Sequence, residues 1–136
     1  MATFSGSLDA NVLLRILLND VPGQNTAATK LLQDSAGQFA VADTAVIEVV
    51  FVLERHYEFT RAQIAEAIEG LMSLPEINCN RGLFVAALPL FTKHPALSFE
   101  DCCLAKYAEL NDARPLWTFD QKLANQAASA KLVPGI

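Results

Sequence analysis

The sequence predicts an α/β fold with three layers, α/β/α, in which helices cover both faces of a central, mainly parallel sheet. Short apolar segments of strand length alternate along the chain with segments whose apolar residues recur at helical spacing. Because parallel strands are joined through helices, this alternation favours a parallel sheet covered on both faces. The chain has 136 residues, of which 52% are hydrophobic, and it can therefore bury a core of ordinary size. We expect one domain over residues 1–136.

The first quarter of the chain predicts a strand followed by two helices. Residues 3–8 form a short, weakly β-like segment that ends at Asp9. Apolar residues then recur at helical spacing over residues 12–17, which predicts the first helix. The Val-Pro-Gly sequence of residues 21–23 predicts a turn. Residues 25–34 carry alanines and leucines on one stripe and predict the second helix.

A second strand and its helix are predicted next. Residues 39–41 are short and apolar, as expected of a buried strand. Asp43 or Thr44 can cap the helix that follows. The apolar spacing of residues 47–54 fits that helix in spite of several β-branched side chains.

The centre of the chain predicts two helices separated by a short strand. Thr60 and Gln63 have the spacing of a capping box and open a helix with an apolar stripe. Residues 77–79 are expected to form the short strand. Residues 83–90 continue the helical pattern, in which Pro89 must either kink the helix or end it early.

The last part of the chain predicts a helix, a strand, a helix and a terminal strand. Ser98 is expected to cap the first of these helices, with Asp101 at its third position. Residues 115–118 read as a buried strand, and Asp120 begins the last helix. Residues 131–134 are expected to form the terminal strand.

Four acids that are far apart in sequence occupy similar places in these elements: Asp9, Glu48, Asp101 and Asp120. Two of them follow predicted strands, and the other two lie in the first turns of predicted helices. Ligands of parallel α/β sheets bind beyond the carboxyl ends of the strands. We therefore expect all four carboxylates to reach one edge of the sheet.

Each of these acids can also have an ordinary structural role. Asp101 and Asp120 fit helix caps or first-turn acids, and Asp9 fits a turn. Glu48 fits such a role less well, because its neighbours in the sequence are apolar and a buried charge needs a partner.

A pocket of four carboxylates would favour divalent-metal chemistry. Carboxylates gathered without a cation repel one another, whereas a hard cation such as Mg²⁺ prefers oxygen ligands. One or two such ions can orient a phosphodiester and activate the attacking water without a nucleophilic side chain. The acids therefore indicate hydrolysis of a phosphodiester.

Composition restricts the classes of protein that remain. The net charge of −5 argues against a nucleic-acid binder that works by bulk attraction, although bound cations would set the local field of an acidic pocket. Glu48 and Glu54 interrupt the longest apolar runs, so no membrane span is expected. Three cysteines fit neither a disulfide framework nor a paired zinc motif. We expect a cytoplasmic protein.

Four motifs, in order, carry a resemblance to a known family. Residues 8–14 read Leu-Asp-Ala-Asn-Val-Leu-Leu, residues 39–53 carry the Glu48 helix, residues 98–101 read Ser-Phe-Glu-Asp, and residues 117–120 read Trp-Thr-Phe-Asp. Together they resemble the PIN domain, specifically its VapC type of toxin ribonuclease. The likeness covers nearly the whole chain.

This resemblance implies an endoribonuclease that depends on Mg²⁺ or Mn²⁺, is commonly dimeric and is neutralised by a small cognate antitoxin. Its implied substrate is RNA. It assigns Asp9 and Asp101 as direct metal ligands, with Glu48 and Asp120 completing the pocket directly or through water. Asn11 and Thr118 match polar positions that support the pocket. Ala10 departs from the usual Thr of the family.

Other side chains carry weaker expectations. Arg15 can point toward RNA phosphate, pair with an acid of the pocket or lie exposed on its helix. Trp117 is expected in the core rather than as a stacking surface. Cys102 and Cys103 are expected to be packed thiols. The mostly apolar helices at residues 45–57 and 62–74 can present surface for a dimer or an antitoxin.

One alternative to the nuclease remains open. The chain can be a PIN-like interaction module without catalysis, in which the acids are structural, as the negative charge and Ala10 suggest. The segment Asp9-Ala10-Asn11 lacks the second aspartate that a haloacid-dehalogenase phosphatase requires. No adjacent acidic pair follows the first strand, which argues against a phospho-receiver domain.

Overall fold

The computed structural model describes residues 4–135, which divide into two compact units, one extending to Arg81 and the other beginning at Gly82. Each unit contains parallel strands joined through helices. The α/β class and the parallel strands predicted from the sequence are thus confirmed. The predicted first strand began at Thr3, which lies outside the described residues.

The first unit is built around a three-stranded parallel sheet in the order β1-β2-β3. Its elements are β1 (Phe4–Ser7), α1 (Ala10–Leu17), α2 (Pro22–Asp34), β2 (Gln38–Ala40), α3 (Asp43–Arg55), α4 (Arg61–Met72) and β3 (Ile77–Asn78). The strands are extended by backbone hydrogen bonds at their carboxyl ends. The Leu8 N–H donates to the Ala40 carbonyl at 3.0 Å, and the Val41 N–H donates to the Asn78 carbonyl at 2.9 Å.

Two predicted helix starts in this unit were wrong. Helix α2 begins at Pro22, so the turn predicted at residues 21–23 is not present as such. Proline fits this first helical position because its missing N–H needs no partner there. The N-cap of α3 is Ala42, and no side chain caps the helix. Asp43 is instead the first helical residue, and Thr44 is the second.

The capping box predicted for α4 is confirmed. The Gln63 N–H donates to Thr60 Oγ1 at 3.1 Å, and the Thr60 N–H donates to Gln63 Oε1 at 2.8 Å. Ile64, Ile68 and Leu71 on this helix are buried. The large apolar residues of α4 therefore serve the core, and the predicted apolar surface at residues 62–74 was wrong.

The second unit has a two-stranded parallel sheet. Its elements are α5 (Arg81–Lys93), which starts at the boundary between the units, α6 (Phe99–Leu110), β4 (Leu116–Thr118), α7 (Gln121–Gln126) and β5 (Ala130–Leu132). Pro89 lies inside α5, and the helix continues beyond it to Lys93. The early end that was one alternative for this helix is therefore excluded.

An aromatic cluster forms the core of the second unit. The Phe99 ring lies 6.0 Å from that of Phe84 and 5.3 Å from that of Phe91, measured between ring centroids. Cys102 and Cys103 are also buried, as expected for packed thiols. Trp117, in contrast, is 54% exposed, so its predicted place in the core was wrong.

No helix in residues 4–135 combines the length and the hydropathy that a membrane crossing requires.

Candidate functional site

The carboxyl edge of the three-stranded sheet gathers polar side chains. Asp9 follows β1, Asp43 follows the central strand β2, and Asn80 follows β3. Because the three strands are parallel, their carboxyl ends meet at the same edge. The first unit therefore places oxygen-bearing side chains after each of its strands.

Asp9 is exposed and serves as the N-cap of α1. Its Oδ1 accepts a hydrogen bond from the Val12 N–H at 3.0 Å. The residue borders an open cavity of about 350 Å³ between α1 and α2. The cavity is lined by Asp9, Asn11, Val12, Arg15, Gln24, Ala27, Ala28 and Leu31.

Asp43 is a candidate that was predicted from the sequence only as a helix cap. It is half-buried, and its Oδ2 accepts a hydrogen bond from Asn80 Nδ2 at 3.2 Å. This contact links the start of α3 to the segment that follows β3. Asp43 stands after β2 much as Asp9 stands after β1, and this parallel was a usable signal in the sequence.

Glu48 lies further along α3 than predicted. It is the sixth residue of the helix, in the second turn, about 7.5 Å along the axis from Asp43. It is exposed and shares a stripe of α3 with the exposed residues Thr44, Phe51 and Arg55. Both its predicted first-turn position and its predicted burial were therefore wrong, since the helix turns Glu48 away from its apolar neighbours.

Arg15 pairs with an acid outside the predicted pocket. Its Nη1 lies 3.0 Å from Asp20 Oδ1, and its Nη2 donates to the Tyr57 hydroxyl at 3.2 Å. Tyr57 in turn donates to Asp20 Oδ2 at 2.6 Å. These three side chains join the end of α1, the following loop and the segment after α3. The predicted alternatives of a pocket acid or a simply exposed arginine were wrong.

The same contacts shift two pKa values. The hydrogen bond from Tyr57, followed by the charge of Arg15, holds the pKa of Asp20 below its usual value against the opposing effect of burial. The hydrogen bond to Tyr57 and the charge of Asp20 raise the pKa of Arg15. The guanidinium thus stays charged while it lines the cavity beside Asp9.

The second unit contains the other two predicted acids, both at helix starts. Asp101 is the third residue of α6 and forms a capping box with Ser98. Its N–H donates to Ser98 Oγ at 3.0 Å, and the Ser98 N–H donates to Asp101 Oδ2 at 3.4 Å. Asp120 is the N-cap of α7, where its Oδ1 accepts from the Lys122 and Leu123 N–H groups at 2.9 and 3.2 Å.

Thr118 supports Asp120 directly. Its Oγ1 accepts the Asp120 N–H at 2.9 Å, which fixes the backbone between β4 and α7. The supporting position that the resemblance implied for Thr118 therefore has a defined contact in the structure.

Residues 4–135 contain no group of three or more His, Cys, Asp or Glu side chains placed to hold a metal ion together. The convergence of Asp9, Glu48, Asp101 and Asp120 on one pocket stays a prediction. The elements that carry the four acids are those expected, apart from the shift of Glu48.

Comparison with known families identifies the fold. A family model described as PIN domain matches residues 7–129. The chain belongs to the PIN domain family. Members of this family are generally metal-dependent nucleases, typically with divalent ions. A search of curated proteins returned no significant match.

The matched stretch of the PIN domain includes every candidate residue of both units. It begins before Asp9 and ends beyond Asp120. It also contains Asp43 and Asn80, two side chains that were not predicted for the site from the sequence.

Proposed function

We propose that this PIN domain protein is an endoribonuclease that depends on Mg²⁺ or Mn²⁺ and acts as the toxin of a toxin–antitoxin pair. The observation that carries the proposal is the position of Asp9 in a chain of this family. The carboxylate is exposed at the carboxyl end of β1, beside an open cavity large enough for a nucleotide.

The chemistry of the available donors fits a hard divalent cation. The candidate residues offer carboxylate and amide oxygens, and Asp9 and Glu48 are exposed to solvent. Asp9 and Asp101 would hold the ion, with Glu48 and Asp120 as further carboxylates. When bound, such an ion lowers the pKa of a water and offsets charge on the phosphate. Asp43 joins this set as a carboxylate of the same sheet edge as Asp9.

The remaining side chains of the first unit would bind and orient the RNA. Arg15 brings a permanent positive charge to the cavity, and its contacts with Asp20 and Tyr57 hold it in one position. Asn11 lines the same cavity and offers both a donor and an acceptor. These groups suit a phosphate and the polar edge of a nucleotide.

The toxin role, a small cognate antitoxin, a homodimer and a cytoplasmic location all belong to this proposal. They are supported by the four ordered motifs that resemble the VapC type. An exposed apolar residue on α3, Phe51, adds support for a protein partner at residues 45–57.

Cleavage of RNA by single-residue variants tests the proposed activity. Wild-type protein is incubated with total RNA and Mg²⁺ or Mn²⁺, and new ends are mapped. Asp9→Asn and Glu48→Gln are expected to lose most of the metal-dependent cleavage, whereas Glu66→Gln, an exposed acid of α4, serves as the matched control. Full cleavage by Asp9→Asn would overturn the assignment.

The second candidate is an interaction module without catalysis. It is favoured by Ala10 and by the capping contacts that already engage Asp9, Asp101 and Asp120. Calorimetric titration with Mn²⁺ separates the two candidates. Binding that disappears in Asp9→Asn supports the nuclease, and no binding by the wild-type protein supports the module.

A further inference from the structure

The second unit exposes two aromatic side chains next to Asp120. Trp117 is 54% exposed and Phe119 is 70% exposed. Trp117 lies in β4, and Phe119 is the first residue after that strand, directly before Asp120. Both rings are therefore available to a ligand.

A lysine accompanies this aromatic pair on the neighbouring strand. Trp117 is paired with Lys131 in the parallel register of β4 and β5. Residues directly opposite each other in a sheet project to the same face. This face therefore combines the Trp117 ring with an exposed ammonium group.

The charge of the surrounding segment is opposite to that of the whole chain. From residue 113 to residue 135, Arg114, Lys122 and Lys131 stand against the single carboxylate of Asp120, which gives a net charge of +2. The whole chain has a net charge of −5. All three cations are exposed. The strand register places one of these cations, Lys131, beside Trp117, where it favours an anionic ligand.

We propose that Trp117, Phe119 and Lys131 form a stacking surface for unpaired bases of single-stranded RNA, which leads the strand to Asp120. Exposed rings accept bases of any sequence, and nearby cations contact the phosphates. Trp117 and Phe119 each present an exposed ring, and each ring takes one base. This inference deepens the proposed function by naming how its substrate is held.

The positive charge of residues 113–135 also favours RNA over a second copy of the chain as the ligand of this face. In a symmetric dimer this face would contact the same face of a second copy, which would bring positive charges close to one another. A strand of phosphates compensates them instead. The occupant with matching chemistry is therefore the nucleic acid.

Trp117 provides the measurement, because it is the single tryptophan of the chain. The full-length protein is titrated in EDTA with an unlabelled single-stranded RNA of twelve adenylates, so that binding is read without cleavage. We expect the tryptophan emission to be quenched, with saturation at the concentration where the anisotropy of a labelled copy of the RNA also saturates. Saturated binding with unchanged emission would overturn the proposal.

Variants identify the groups responsible. Trp117→Leu is expected to weaken RNA binding about tenfold or more, while Trp117→Phe keeps most of the affinity because a ring is retained. Phe119→Leu, which preserves the tryptophan signal, is expected to weaken binding in the same way. Tyr107→Leu is the matched control, an aromatic residue of similar exposure on α6. Equal affinities for Trp117→Leu and wild type would refute the stacking role.

The lysine has its own readout. Lys131→Gln is expected to reduce the slope of log affinity against log salt by about 0.7, the contribution of one phosphate contact on a single strand. Lys30→Gln, an exposed lysine of α2, should leave the slope unchanged. An unchanged slope for Lys131→Gln would remove the phosphate contact from the proposal.

Two further measurements distinguish base stacking from binding by charge alone and from self-association. If a fully paired RNA hairpin binds with the same affinity as the single strand, binding depends on charge alone. This result would overturn base stacking. A Trp117→Leu variant that changes from dimer to monomer in light scattering, with unaltered RNA affinity, would assign the face to self-association. Because all binding is measured without metal, a failure of the nuclease chemistry leaves these results unaffected, and loss of stacking leaves metal binding at Asp9 testable.

Discussion

Asp101 holds two roles that a pair of substitutions can separate. In the structure it closes the capping box of α6 with Ser98, and in the proposed function it is also a metal ligand. Asp101→Asn removes the charge but keeps an oxygen that can accept the Ser98 N–H. Ser98→Ala removes the Oγ acceptor of the Asp101 N–H, a bond of 3.0 Å, and keeps the carboxylate.

The two variants should be similar in stability and different in activity. Loss of the Ser98 cap costs about 1 kcal/mol. Loss of the Asp101 charge in the first turn costs about 0.3–1 kcal/mol, since its own bond to Ser98 N–H is already long at 3.4 Å. The Ser98 loss lowers the melting temperature by roughly 3–5 °C and the Asp101 loss by roughly 1–5 °C. A domain stable by about 5 kcal/mol or more stays almost fully folded at 25 °C after such a loss.

Unfolding therefore cannot account for a large fall in cleavage by either variant at 25 °C. We expect Asp101→Asn to lose roughly 100-fold in metal-dependent RNA cleavage, and Ser98→Ala to stay within about twofold of wild type because the loss of a cap leaves the folded population nearly unchanged. Melting is followed by circular dichroism and cleavage by the release of new RNA ends. Equal losses in the two variants, or full activity in Asp101→Asn, would refute a ligand role that is distinct from the cap.

Three other predictions concern stability and thiol chemistry. Because Asp20 has a lowered pKa in the folded state, its stabilising effect is complete above the unfolded pKa near 3.8 and is lost as the pH falls through the folded value. Tyr57→Phe should make the free energy of unfolding, measured with urea, depend less on pH between about pH 2 and pH 5. An unchanged pH dependence would count against the contact between Tyr57 and Asp20. Burial raises the pKa of Cys79, so iodoacetamide at pH 8 should alkylate it more slowly than a free cysteine; an equal rate would contradict this. Phe91→Ala should lower the free energy of unfolding by about 3–5 kcal/mol, against little change for the exposed control Tyr107→Ala; similar small losses in both would argue against the aromatic core.

Local features of the fold were predictable from the sequence because they depend on neighbouring residues alone. The capping boxes of α4 and α6 need only a Ser or Thr and a suitable side chain three residues later. The position of Asp120 at the start of α7 follows from a similar short-range signal. The family resemblance used the same segments, and the match over residues 7–129 confirms the PIN domain family.

The errors came from burial and from contacts between distant segments. Glu48 has apolar neighbours in sequence, but each helical residue turns by about 100°, so the side chain points to solvent. Trp117 lies in a strand of three residues within a two-stranded sheet, and its side of that sheet is exposed. The contact between Arg15 and Tyr57 joins residues 42 positions apart, which no local pattern reveals.

The caps at three of the candidate acids have a consequence for any cation that they bind. Oδ1 of Asp9 and Oδ1 of Asp120 each accept a hydrogen bond from backbone N–H groups of the helix that follows. Oδ2 of Asp101 accepts a hydrogen bond from the Ser98 N–H. Each carboxylate thus accepts a capping hydrogen bond through one oxygen at the start of its own helix. An arriving ion would find these side chains already ordered, so that less rotamer entropy is lost on coordination. The helix starts thus order the acidic side chains before a ligand is present.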